Sequence, residues 1–437
     1  MSPASTEVKG FYRRSVEERR EVLREASGLA SSDLAPWQPG PGLPSGLLER
    51  MIENVVGAFA LPLGFATHFK VNGVDRFVPM ALEEPSVVAA ASNAARIARL
   101  RGGFSAQVTP PVMIGQVSLV GVPDPHAARL RILAAREELL KIANEKDPLL
   151  NRVGGGARDL EVHLRSTARG PLLVVHLLVD VRDAMGANAV NTMAEALAGE
   201  LTRLSGGRVN LRIISNLAIH RLARASATFP REALEGEGRT GADVVEGILD
   251  AYEFARNDPF RCSTHNKGIM NGISAVAIAT GNDFRALEAG AHSYAAFKAP
   301  PGGILSPLST YETTPQGDLV GTLELPLAVG TIGGAAAVHP AAKLNLKILG
   351  VSGARELAEV MAAVGLAQNF AALRALANEG IQKGHMALHA RNVAVTAGAR
   401  PDEVDRVADR LIQEHAIRQD RAREVLEELR RAGSRSP

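Results

Sequence analysis

Residues 171–197, "PLLVVHLLVDVRDAMGANAVNTMAEAL", decide how the chain is organised. The apolar run 171–181 reads as a buried strand, and Asp183 and Gly186 turn it into a helical pattern. Val190, Met193, Leu197, Leu201 and Leu204 share one face of a helix over 187–204, ended by Gly206-Gly207. A strand–turn–helix leaves free N–H groups at the helix start, which attract anions. The spacing fits neither the G-x-G-x-x-G fingerprint nor a P-loop. Asp183, Met185, Gly186 and Asn188 then have two readings. They cradle a phosphate, with Gly186 permitting close backbone approach, or Asn188 or Asp183 caps the helix, the commoner use of such residues.

Outward from this stretch, 116–122, 160–165 and 208–215 also read as strands, and 125–146 as a helix begun by Pro125. The order β-α-β-β-α-β is that of a ferredoxin-like split βαβ unit. It predicts a domain over 111–219 inserted into a larger one. Residues 69–80 read as a hairpin around Asn72-Gly73. Residues 85–100 read as a helix with Pro85 in its first turn and Glu83 and Glu84 at its mouth. Beyond about 380 the chain turns to charged amphipathic helices with little to form a core of their own, which reads as a C-terminal helical appendage.

Composition narrows the class. With 437 residues, 46% apolar and 22% charged, the chain suits a soluble globular protein of two or three domains. Aromatics are only 4% and net charge is +2, so nothing points to nucleic acid. A lone cysteine, Cys262, excludes an intrachain disulfide framework and fits a reducing, cytoplasmic setting. The start reads as no secretory signal, and the apolar runs at 55–66 and 171–181 fall short of a membrane span.

The candidates for chemistry are scattered. Glu83 and Glu84 at a helix start serve ordinarily as dipole partners. Lys267 and Asp283 sit in apolar-looking sequence, where an opposite-charge pair between them would make burial tolerable. His385 is one of 11 histidines, most of which are expected to be structural. No His/Asp/Glu set has metal-ligand spacing and G-x-S-x-G is absent, so zinc and serine-hydrolase chemistry are not expected.

In order along the chain, "MIENVVGAFALPLGF" (51–65), "VPMALEEPSVVAAAS" (78–92), "DVRDAMGANAVNTMAEAL" (180–197), "THNKGIMNGI" (264–273), "ATGNDFRALEAGAH" (279–292), "VGTIGGA" (329–335) and "GLAQNFAALRALANEGIQKGHMALHARN" (365–392) are similar to one family. The chain resembles the class II, soluble bacterial type of 3-hydroxy-3-methylglutaryl-CoA (HMG-CoA) reductase over nearly its whole length. That resemblance implies an α+β fold. Residues 1–110 and 220–380 would form a large mixed α/β domain for CoA and the HMG group. The inserted 111–219 unit would bind the nicotinamide, and 381–437 would be a helical flap.

The resemblance also implies a site. Glu84 (with Glu83 as the fallback), Lys267, Asp283 and His385 would be catalytic. Ser86, Arg261, Asn271, Gln368 and Asn369 would line the HMG pocket. Asp183, Met185, Gly186, Ala187, Asn188 and Asn216 would hold the dinucleotide. Two hydride transfers would take HMG-CoA through mevaldyl-CoA and mevaldehyde to mevalonate and CoA. Lys267 would stabilise charge on the former carbonyl oxygen, Glu84 would protonate it, Asp283 would tune Lys267, and His385 would protonate the CoA thiolate. Asp147, after the 125–146 helix, stands where NAD-preferring relatives keep an acid, so NAD(H) is expected over NADP(H). The expected assembly is a homodimer, extending to a trimer of dimers. Another acyl-CoA oxidoreductase, or a regulatory CoA-binding protein on this scaffold, would be the competing readings.

Overall fold

The computed structural model describes residues 6–8, 10–37, 45–236, 238–378 and 381–433. Among the described residues, ten strands form two sheets. They are β1 (Leu63–Val71), β2 (Val74–Ala81), β3 (Phe104–Val108), β4 (Val112–Val120), β5 (Gly156–Thr167), β6 (Gly170–Asp180), β7 (Arg208–Ser215), β8 (Leu222–Phe229), β9 (Ser309–Thr313) and β10 (Leu319–Pro326). A six-stranded sheet runs β2-β1-β3-β8-β10-β9, and a four-stranded sheet runs β5-β6-β4-β7. The chain leaves the first sheet after β3, builds the whole second sheet, and returns at β8.

The four-stranded sheet has the strand order and antiparallel pairing of a ferredoxin-like unit. Alternation sends Met113, Val117, Leu119, Leu173, Val175, Leu177 and Val179 to one face, where they pack on Val190, Met193, Leu197 and Leu201. A side chain at Gly115 would meet Val190 at 2.8 Å, so this glycine lets the Ala187–Ala196 helix lie close. The two long helices expected here are each broken once. Pro125–Ala134 is followed by Arg136–Asn144, and Ala187–Ala196 by Ala198–Ser205. A continuous periodic pattern does not reveal such breaks, because both halves keep their apolar face on one sheet.

The Asn72-Gly73 turn joins β1 to β2 with both residues at positive φ, 50° and 80°, as a two-residue hairpin demands. The larger core gathers Phe69, Met80, Ile97, Phe229, Ile269, Ile273 and Phe370, and the Phe229 and Phe370 rings stack with centroids 3.7 Å apart. Through it runs the helix Ala354–Asn378. Residues 354–377 are long and apolar enough to cross a membrane, but 67% of that window is buried among the other elements. Gln368 and Asn369 break its apolar sequence, and Glu356, Glu359 and Arg374 flank it. The C-terminal helices Ile381–Thr396, Val404–Gln413 and Gln419–Gly433 correct another expectation. They close a small core of their own around Ala394, Val407, Leu411, Val425 and Leu426.

Candidate active site

Asp258 opens the helix that carries Lys267 by accepting from the Arg261 amide at 2.7 Å, with Pro259 in its first turn. Pro259–Ala279 then runs unbroken, and Lys267 and Asn271, four residues apart, share a face. Facing them is the segment between β2 and the next helix. Glu84 Oε2 lies 3.3 Å from Lys267 Nζ and accepts from Asn271 Nδ2 at 3.4 Å. The pair is open to solvent, with side-chain exposures of 60% for Lys267 and 35% for Glu84. Glu83 is exposed and makes neither contact.

The helix expected from Pro85 begins at Val87 instead, with Ser86 as its N-cap residue, so Glu83 and Glu84 lie outside the first turn. Ser86 takes φ 75°, which is left-handed backbone, and its side chain makes no capping bond. A serine held there is strained by roughly 1–3 kcal/mol, and such strain gathers at functional sites.

Asp283 does not pair with Lys267. It caps Phe284–Phe297, accepting from the amides of Arg285 and Ala286 at 3.1 and 3.2 Å, and it pairs with the Arg285 guanidinium at 3.2 Å. The additional acid beside Lys267 is Glu288, which sequence reasoning missed. Glu288 accepts from Ser274 Oγ at 2.6 Å and from His292 Nε2 at 3.1 Å. Burial pushes its carboxyl up, but those bonds and the charge of Lys267 outweigh burial and hold it below the usual range. The legible signal was Glu288 and His292 four residues apart on a helix.

Of the expected substrate residues, Arg261 is half-buried, and its guanidinium makes no ion pair with any described residue. Burial lowers its pKa from the ordinary value. Gln368 is buried, with Oε1 unpartnered. Asn369 departs from expectation. It is 1% exposed and locked inside, accepting from Ser309 Oγ and Tyr311 Oη, each at 2.8 Å. Ser309 also bonds His265 Nε2 at 2.7 Å. Asn369 therefore braces the helix that carries Lys267 through Ser309 and the His265 carbonyl. Burial drives the His265 pKa down to about 3. The backbone of His385 lies in Ile381–Thr396, and its side chain falls outside the described residues.

The Asp183–Asn188 turn links β6 to the helix Ala187–Ala196 and touches residues 331–332 and 354 of the larger part of the chain. Gly186 is the N-cap residue of Ala187–Ala196 at φ 104°, and a side chain there would meet Val181 at 2.6 Å. No side chain caps this helix, and Asn188 is exposed, so the expected cap is not formed. Asp183 caps another helix instead, accepting from Ala354 N at 2.8 Å, and its carbonyl accepts from Thr331 N at 3.0 Å. Buried Arg221 donates to the carbonyls of Ala184 and Met185, both at 3.1 Å, and also to that of Val329. Gly330 lets Met185 approach, since a side chain there would lie 2.6 Å from Met185 N. Asn216 is exposed, and its carbonyl lies against Gly290.

A family model for hydroxymethylglutaryl-coenzyme A reductase matches residues 15–390. The chain is 57% identical over 426 residues to the 3-hydroxy-3-methylglutaryl-coenzyme A reductase of Archaeoglobus fulgidus, covering 98% of this chain and 95% of that one. It is 34% identical over 410 residues to a probable enzyme of the same name from Borreliella burgdorferi, covering 93% and 91%. A solved class II reductase from Streptococcus pneumoniae, bound to NADPH in open conformations, matches with TM-score 0.80 and 42% identity over 95% of this chain and 100% of that one. The fold is that of an oxidoreductase. The chain belongs to the hydroxymethylglutaryl-coenzyme A reductase family, and the Streptococcus pneumoniae structure it matches is of class II.

The expected preference for NAD(H) is overturned by the NADPH bound to the Streptococcus pneumoniae relative. Asp147 shows why the local clue failed. Its carboxylate caps the helix Pro148–Arg152, accepting from Leu150 N at 2.9 Å, and so has a structural task of its own.

Proposed function

We propose that this chain interconverts HMG-CoA and mevalonate plus CoA, a four-electron change, with NADP(H) as the redox partner. The observation that carries the reading is the Lys267–Glu84–Asn271 contact, made by residues from two of the family-like motifs. The reduced nicotinamide supplies hydride when bound. Residues 111–219 form its domain, and the uncapped start of Ala187–Ala196 receives the pyrophosphate at Met185, Gly186, Ala187 and Asn188, with Asn216 alongside. Residues 1–110 and 220–380 hold CoA and the HMG group, with Arg261 on the HMG carboxylate and Ser86, Asn271 and Gln368 around it.

Lys267 is a fixed cation aimed where negative charge grows on the carbonyl oxygen, and Glu84, in hydrogen-bond reach of it, delivers the proton. Asp283 is assigned to tune Lys267, and Glu288 adds negative charge beside Lys267. His385, on the 381–437 flap, protonates the departing CoA thiolate as the flap closes. The subunits pair as homodimers. Met51, Ile52, Val56 and Phe59 are exposed in one stretch, an apolar surface that a partner subunit would cover. The unpaired Cys262 suits the cytoplasm.

The test is a nicotinamide absorbance assay with HMG-CoA and either NADPH or NADH, repeated with mevalonate, CoA and the oxidised cofactors. NADPH consumption with release of CoA and mevalonate is expected. A folded protein that turns over neither substrate with either cofactor would refute the reading.

A further inference from the structure

The four-stranded sheet carries a side-chain cluster that the reductase reading leaves unused. Glu161 and His163 are two apart on β5, and Glu161 stands directly opposite His176 of β6. All three therefore project from the face opposite the helices, since Val162 and Val175 between them turn into the core. Glu161 Oε2 lies 3.1 Å from His163 Nε2 and 4.0 Å from His176 Nδ1, and the three ligand atoms all fall within 4.8 Å of one another. The side chains are partly buried, with exposures of 42%, 30% and 18% for Glu161, His163 and His176.

We propose that Glu161, His163 and His176 form a binding site for one late first-row divalent cation, with Zn²⁺ as its probe. Four donors about 2.0–2.1 Å from zinc stand about 3.3 Å apart in a tetrahedron, so the Glu161–His163 distance already fits and the two distances to His176 close by a small rotamer change. Two imidazoles and a carboxylate suit Zn²⁺, Co²⁺, Ni²⁺ or Cu²⁺, and not the all-oxygen preference of Mg²⁺ or Ca²⁺. Three protein ligands leave a position for water.

A second feature supports the site. Gln116 of β4 pairs in register with His176, and their side-chain nitrogens lie 2.9 Å apart. With its amide turned so that oxygen meets the ring N–H, Gln116 holds the proton on Nε2 and leaves the Nδ1 lone pair towards Glu161. Burial, and then the neighbouring His163, lower the pKa of His176 from its ordinary value. The His163 and His176 rings lie 4.4 Å apart. A hydrogen bond from His163 to Glu161 alone would not require the second ring there. Arg165 and His220 also face His176 and set a positive rim that a cation must overcome.

The experiment titrates the chelator-treated, tag-free full chain with Zn²⁺ against a competing dye, and with Co²⁺ while recording its visible absorption. One equivalent per chain is expected, with no competition from millimolar Mg²⁺. His163→Asn and His176→Asn should each weaken binding at least tenfold, and Gln116→Ala by about 10–100-fold, while His126→Asn leaves it unchanged. Turnover of HMG-CoA by these variants serves as the check on folding, since none touches the proposed catalytic groups. Should His176→Asn fail to fold, His163→Asn and Gln116→Ala decide. Substoichiometric binding, or binding indifferent to the loss of His163 and Gln116, would overturn the site.

Discussion

Lys267 Nζ and Glu84 Oε2 meet at 3.3 Å although 183 residues separate them in sequence. Because Lys267 is 60% exposed, the pair adds little to stability, about 1 kcal/mol or less. Its value is positional. Lys267→Ala should therefore leave the unfolding midpoint nearly unchanged while lowering kcat by about 10²–10³-fold or more, the scale for losing a preorganised charge at a developing oxyanion. Steady-state kinetics beside thermal unfolding checks this. A variant that keeps its turnover would remove Lys267 from the mechanism.

Gly186→Ala should damage the dinucleotide turn specifically. The residue sits at φ 104° with Val181 2.6 Å from where a side chain would begin, so the backbone must shift. We expect a stability loss of about 1–3 kcal/mol and a KM for NADPH raised more than the KM for HMG-CoA. Equal changes in both would argue against a cofactor role.

Arg261 and Asn369 should separate cleanly. Arg261→Ala removes a cation without an ion-pair partner among the described residues, so KM for HMG-CoA should rise by one to two orders of magnitude with little unfolding. Asn369→Ala strips the shared acceptor from Ser309 and Tyr311 and should cost about 1–3 kcal/mol of stability. Denaturant melts and substrate titrations distinguish the two.

Acid sensitivity should trace in part to His265. Its ordinary pKa of 6.5 falls to about 3 in the fold, chiefly through burial. Between those values the unfolded chain takes a proton that the folded chain refuses. Stability is therefore retained above about pH 6.5 and declines as pH falls towards 3, by at most about 1.4 kcal/mol per pH unit. Urea unfolding from pH 7 to pH 5 should show a shallower decline for His265→Gln than for the parent chain. Identical slopes would contradict this assignment.

Asp147→Ala tests the corrected cofactor reading. Losing the cap on Pro148–Arg152 should cost about 1 kcal/mol, while the ratio of kcat/KM for NADPH and NADH stays within a few-fold. A swing of tenfold or more towards NADPH would restore Asp147 as a selectivity residue.

Much of this was legible along the chain because it depends on neighbours in sequence. Period-two alternation and the 171–197 stretch marked the β-α-β-β-α-β order, and Asn72-Gly73 marked its hairpin, since strand faces and tight turns are set by local sterics and burial. The long motifs carried the family resemblance, with Lys267 and Glu84 inside them.

Side-chain partners are set by packing between distant elements, and there the tertiary structure decided. Asp283 and Asp147 became helix caps, Asn369 an internal brace, and Glu288 the additional acid near Lys267. A carboxylate's environment depends on which donor the fold brings within about 3 Å, and no spacing in one dimension encodes that. Glu161, His163 and His176 show the same limit. Only the register of β5 against β6 turns an ordinary Glu-x-His and a distant histidine into one cluster. The sequence by itself determined the elements, their order and the family. Which charges face one another followed from the three-dimensional packing of those elements.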